Sequence, residues 1–209
     1  MKRNNLLLFG PAAALILGCG IVVLAGTVPG YSSIYQTVSE IGEVGSPARI
    51  PFTVLLCVVA ACLLIFASAV RDLSRVVGCA PWAAYAIAGM AFSAAGVGIF
   101  AFPHPLHNVF GLSELVGYQA PLAFALTWRR TPQAKALVDF SWIMFIVVWL
   151  AIALNMSSLD RHGAFWEFLR PGYGLVQRAL FAVWFGWCAI IGAMLWRRTS
   201  MATARPDGY

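Results

Sequence analysis

Charge is scarce in this sequence. Lys, Arg, Asp and Glu supply 11% of its 209 residues, against about a quarter in soluble domains. Apolar residues supply 61%, more than a soluble core of this size can hide. No polar stretch reaches the roughly 50 residues that a separate domain needs. Residues 1–209 are therefore read as one polytopic membrane domain. Paired cysteines are also missing. Cys19, Cys57, Cys62, Cys79 and Cys188 form no C-x-x-C spacing, which argues against a disulfide framework and a cysteine-based zinc site. No G-x-S-x-G, phosphate-loop or deep two-span histidine pair occurs, so neither a nucleotide nor a haem is implied. No cofactor is expected. The net charge of +6 comes from basic residues at the ends of apolar runs, which removes nucleic acid as a partner.

What is present is apolar length. A spanning helix needs about 20 apolar residues. Six runs qualify: Leu6 to Val28, Ile50 to Val70, Pro81 to Phe102, His107 to Trp128, Leu137 to Met156 and Gly172 to Trp196. The fold expected is all-α, a bundle of six transmembrane helices. Lys2 and Arg3 before the first run resemble a signal peptide, and Leu15 to Cys19 resembles a lipoprotein cleavage box. The run continues past Cys19 beyond the usual signal length, so a retained first helix is expected. The small residues Gly89, Ser93, Gly96 and Gly98 mark the third run as the central packing helix.

Orientation follows from the basic residues. Lys2, Arg3, Arg71, Arg75, Arg129, Arg130, Lys135, Arg197, Arg198 and Arg205 fall on one side, ten of the fourteen. Arg49, Arg161, Arg170 and Arg178 fall on the other. The positive-inside rule makes both termini cytoplasmic. Every histidine, with Glu40, Glu43, Asp160 and Glu167, then faces outward, and Glu114 lies in the outer half of the fourth run. The cytoplasmic side keeps Asp72, Asp139 and Asp207.

The unusual residues cluster in that outer layer. From His107, helical spacing puts Gly111, Glu114 and Tyr118 on one face. His107 and Glu114 stand about 10 Å apart by helix rise, close enough to line one pocket. Gln177 and Arg178 open the sixth run, and a guanidinium there needs a carboxylate or a lipid phosphate; Glu114 and Glu40 are the protein candidates. Phe165, Trp166 and Leu169 suggest a short helix on the outer leaflet. His104, His107 and His162 have donor types suited to zinc, but His104 and His107 straddle a proline-stiffened helix start. No metal is the primary expectation. The loop from Gln36 to Phe52 is long and polar, and Gly42, Gly45 and Pro47 suit a compact lid. It is expected to carry Ser39 and Glu40 over the helix ends, with Glu40 reaching towards His107 and Arg178.

The stretches PGYSSIYQTVSEIGEVGSPARIPF, HN at the fourth helix and GLVQRALF at the sixth resemble the domain-of-unknown-function 998 family of prokaryotic six-helix membrane proteins. The matching positions are Ser39, Glu40, Gly42, Ser46, Pro47, His107, Gln177 and Arg178. The similarity extends along essentially the whole chain. It implies a six-helix fold in a prokaryotic cytoplasmic membrane and no established activity. A fainter likeness to Frag/DRAM-type proteins suggests lipid remodelling. The function expected is a polar outer site that binds or modifies an outer-leaflet lipid. In it Glu40 or His107 serves as general base, and Ser39, Glu114, Tyr118, Gln177 and Arg178 contact the substrate. A proton-coupled transporter or channel, or a structural subunit without catalysis, are the alternatives. Membrane lipid is the expected partner.

Overall fold

The computed structural model describes residues 3–203, with the side chains of Arg3, Ala202 and Thr203 excepted. Lys2, Arg205 and Asp207 lie outside the described residues. Among the described residues there is no strand. Six helical segments are long and apolar enough to cross a membrane. Among the described residues there are nine α-helices: α1 (Phe9–Ala25), α2 (Val38–Ile41), α3 (Arg49–Val76), α4 (Trp82–Ile99), α5 (Pro105–Gly117), α6 (Ala120–Trp128), α7 (Lys135–Met156), α8 (Ala164–Leu169) and α9 (Tyr173–Thr203). The six spans are α1, α3, α4, α5 with α6, α7 and α9. Each span packs on its chain neighbours, and α9 returns to α1. The result is a closed ring of six.

The ring is tight where side chains are small, because apolar lipid offers helices no hydrophobic reason to associate and close backbone approach must do so. The small stripe of α4 does this work against α5 and α3. A Cβ built on Gly96 would stand 2.2 Å from the Phe110 ring, and one on Gly98 would stand 2.9 Å from Leu56. Ser93 Oγ and Ser113 Oγ meet at 2.7 Å. The interior is then filled by Trp184, Trp187, Phe124 and Phe66, all fully buried.

The fourth run is broken where the sequence suggests one helix. Pro121 has no N–H and its ring displaces the carbonyl four residues earlier, that of Gly117. Helix α5 ends at Gly117 and α6 restarts at Ala120. The freed Gly117 oxygen accepts Trp184 Nε1–H at 2.9 Å. A bond lost within one span becomes a bond to another. The third helix also stops earlier than expected, at Ile99, with consequences described below.

The two ends of the ring differ. At one end Trp196 Nε1–H reaches Asn5 Oδ1 at 3.2 Å, Arg198 donates to Gln133 O, and Cys79 Sγ lies 3.3 Å from Thr131 Oγ1. Arg129 and Arg130 are exposed there, and we term it the basic end. The opposite, or loop, end carries α2, the α4–α5 turn and α8. The short helix expected around Trp166 is present as α8, with Phe165 and Phe168 exposed.

Candidate functional site

The loop between α1 and α3 is a folded cap. Helix α2 begins with a capping box: Glu40 Oε2 accepts Thr37 N–H at 2.5 Å and Thr37 Oγ1–H at 3.1 Å. This satisfies a donor that a helix start leaves unpaired. Val38 N–H, another such donor, goes to Gln177 Oε1 at 2.6 Å. Gly45 turns the chain with φ +95, a region that favours glycine. Val44 N–H then bonds Phe102 O at 2.8 Å, tying the cap to the α4–α5 turn. Ser46 Oγ–H closes the loop on Ile41 O at 2.6 Å.

Arg178 finds neither carboxylate expected of it. Its Nη1 donates to Gln36 O and Gly174 O, each at 2.9 Å, and its Nη2 donates to Tyr31 Oη. The guanidinium also lies over the Tyr31 ring, 5.7 Å from its centroid. Tyr31 Oη–H passes on to Thr37 O at 2.7 Å. A planar fork with five donors suits converging carbonyls as well as an acid. Burial pushes the Tyr31 phenol above its usual range, partly offset by the adjacent Arg178. Gly174 permits the contact, since a Cβ there would lie 2.4 Å from Gln36 O and 2.6 Å from Ser33 O. The sequence singled out Arg178; Tyr31 and Gly174 were missed, because only the folded loop brings them to it.

Glu40 is turned into its own helix start, and the neighbouring Ser39 meets His107 instead. Ser39 Oγ lies 3.0 Å from His107 Nε2. The other ring nitrogen, Nδ1, faces Phe100 O at 2.9 Å and Val97 O at 3.2 Å. Those carbonyls are free because α4 ends at Ile99, and the last carbonyls of a helix lack internal partners. A carbonyl only accepts, so Nδ1 carries the hydrogen. In a neutral ring Nε2 is then the acceptor, and Ser39 Oγ–H donates to it. His107 is buried and Ser39 half-buried.

Beside Ser39 lies a cavity of about 40 Å³. That exceeds the ~10–15 Å³ a single water needs. Its polar lining is Ser39 and Glu114; Leu17, Phe52, Leu56, Met90, Phe181 and Phe185 are among the apolar walls. Glu114 Oε2 accepts Tyr118 Oη–H at 3.0 Å. Tyr118 itself is buried and packs edge-on against Trp184.

The histidines do not converge. His104 Nδ1 accepts Leu106 N–H at 3.2 Å as a helix cap. His162 is exposed in the α7–α8 connection. Among the described residues no group of three or more His, Cys, Asp or Glu comes together as a metal would require. Ser39 and Glu114 thus share one cavity, His107 bonds Ser39, and Gln177 and Arg178 hold the cap. No family model, curated protein or solved structure matches the chain.

Proposed function

We propose that the chain is an integral membrane protein that binds an outer-leaflet lipid at the loop end, with His107 as the base if the lipid is also modified. The basic end is placed in the cytoplasm by the positive-inside rule, which turns the cap outward. The membrane is read as a prokaryotic cytoplasmic membrane, following the resemblance to the domain-of-unknown-function 998 family. The observation that carries the reading is the cavity. It offers Ser39 and Glu114 in an otherwise apolar wall, the pairing of a few polar groups with apolar surface that suits an amphipathic ligand. At about 40 Å³ it has room for one small group of a lipid, and the rest of the molecule would lie outside it. The cap above it exposes Ile34, Tyr35 and Val44, and the adjoining turn exposes Phe102 and Leu106. A water-soluble ligand has less use for so apolar a rim.

Transport is less well supported. Glu114 on a cavity is the feature that favours it. Beyond the cavity the ring is plugged by Trp184, Trp187 and Phe124, and among the described residues no Asp, Glu, Lys or Arg is buried.

Native mass spectrometry on protein released in mild detergent tests the lipid reading. Wild type is expected to retain phospholipid. Ala94→Leu combined with Glu114→Gln, which fills the cavity and removes its acid, is expected to lose most of it. A lipid-free wild type, or equal retention by the variant, rejects the reading.

A further inference from the structure

We infer that Ser39 is a nucleophile activated by His107, and that the chemistry of this site is transfer of an acyl group from a lipid carboxylic ester to water. The inference rests on the lipid reading for its substrate class and on geometry for its mechanism.

Two groups in separate parts of the chain, 68 residues apart, are joined by one hydrogen bond of 3.0 Å. Nucleophilic serine catalysis needs a hydroxyl within hydrogen-bond reach of a base, and a third group that orients the base. The two carbonyls on Nδ1, at 2.9 and 3.2 Å, are that third group. They place the acceptor lone pair of Nε2 on Ser39 and would stabilise the ring once it takes a proton. An ordinary serine protein uses a carboxylate here; carbonyl dipoles do the same orienting with less charge. Among the described residues Ser39 Oγ has one hydrogen-bond partner, His107, and Ser39 lines the cavity. A reactive carbonyl carbon would reach Ser39 Oγ from the cavity side. The capping box and the Gln177 bond hold Ser39 in place from both sides, so its position does not depend on the His107 bond alone.

The step balances without further reactants except water. Ser39 Oγ forms a bond to the ester carbonyl carbon while its proton passes to Nε2, and the carbonyl π pair moves to oxygen. Collapse of that oxyanion breaks the bond to the alcohol oxygen, which leaves with the proton from Nε2. Water then attacks acyl-Ser39 and gives a proton to Nε2. The second collapse returns that proton to Ser39 Oγ and releases a carboxylic acid.

His107 also caps α4, so a variant must separate capping from base chemistry. His107→Gln keeps an N–H donor for Val97 and Phe100 but has no basic nitrogen. Full-length protein in phosphatidylglycerol nanodiscs is treated with a fluorophosphonate, and the adduct is mapped by peptide mass spectrometry. The expected result is an adduct on Ser39, absent in Ser39→Ala and formed at least about 100-fold more slowly in folded His107→Gln. Thermal melting establishes that each variant is folded. No adduct on Ser39 in folded wild type, or equal rates in His107→Gln, overturns the inference. Lipid retention measured in parallel separates the two readings. Retained phospholipid with no adduct rejects the nucleophile and leaves the lipid site standing. An adduct on a protein that neither retains phospholipid nor hydrolyses a fluorogenic diacylglycerol ester supports the nucleophile and rejects the lipid.

Discussion

The two ends of the ring use polar groups in opposite ways. At the basic end two ion pairs join residues one and four apart, while Arg198 crosses to Gln133 O. Lys135 and Asp139 pair at 2.6 Å one helical turn apart, and Arg71 pairs with its neighbour Asp72 at 3.0 Å. An exposed pair such as Lys135–Asp139 contributes about 0–1 kcal/mol. A polar cleft of about 440 Å³ opens there beside Arg129 and Arg130. In the cap at the loop end the polar groups are half-buried and their partners are distant in sequence, whereas Arg170 and Glu167 at α8 form an exposed local pair. Arg178 reaches back 142 residues to Gln36, and Gln177 reaches 139 to Val38. Desolvated hydrogen bonds to charged groups contribute about 1.5–3 kcal/mol each. One end carries exposed basic residues; the cap at the other is assembled from side chains that fit one another.

That contrast predicts unequal sensitivity. Arg178→Ala removes donors from two carbonyls and a phenol, and should cost about 3 kcal/mol. Amide exchange should accelerate across residues 36–42. Arg197→Ala, exposed at the basic end, should stay within about 0.5 kcal/mol. Equal losses in denaturant titration would abolish the distinction between the ends.

Gly174→Ala is the steric counterpart. Its Cβ would crowd the carbonyls of Gln36, Ser33 and Ile34, and a loss of about 1–3 kcal/mol is expected. Gly186→Ala, with open space around it, is the matched control. A cap that tolerates both substitutions alike is not packed as described.

Between the ends, Trp184→Phe leaves Gly117 O without its donor. A buried carbonyl so stranded costs about 1–3 kcal/mol, and about 1.5 kcal/mol is expected in thermal unfolding. Pro121→Ala in the same background should restore part of it, since an amide at 121 can donate to Gly117 O. Absence of any rescue counts against the broken-helix account.

The smallest effect concerns pH. Tyr31 has a raised phenol in the folded chain, so it binds its proton more tightly there than when unfolded. Its contribution is complete below about pH 10, the ordinary tyrosine value, and fades as pH rises through the folded value. Tyr31→Phe should flatten the stability profile above about pH 10 and leave its slope near neutrality unchanged. An unchanged alkaline slope would place the titration elsewhere.

Much of the architecture was legible in the chain. Apolar runs of spanning length located all six spans, and the small residues of α4 marked a close packing face. Those are local properties, carried by composition and period. The breaks were less legible. Pro121 was visible, yet whether a membrane proline bends or divides a helix depends on who accepts the freed carbonyl, here Trp184. The site was legible in part. His107, Ser39, Glu114, Gln177 and Arg178 were all singled out, but their pairings were not. Glu40 was expected at His107, and its neighbour Ser39 is there.

The sequence by itself determined that this chain is an all-helical bundle with six spans and an uneven distribution of charge, because hydrophobic length and residue type are properties of single segments. The tertiary structure alone decided that Glu40 caps α2 while Ser39 faces His107. One residue of rotation on a four-residue helix separates those outcomes, and the choice was made by contacts with α5, α9 and the early end of α4, none of them adjacent in the chain.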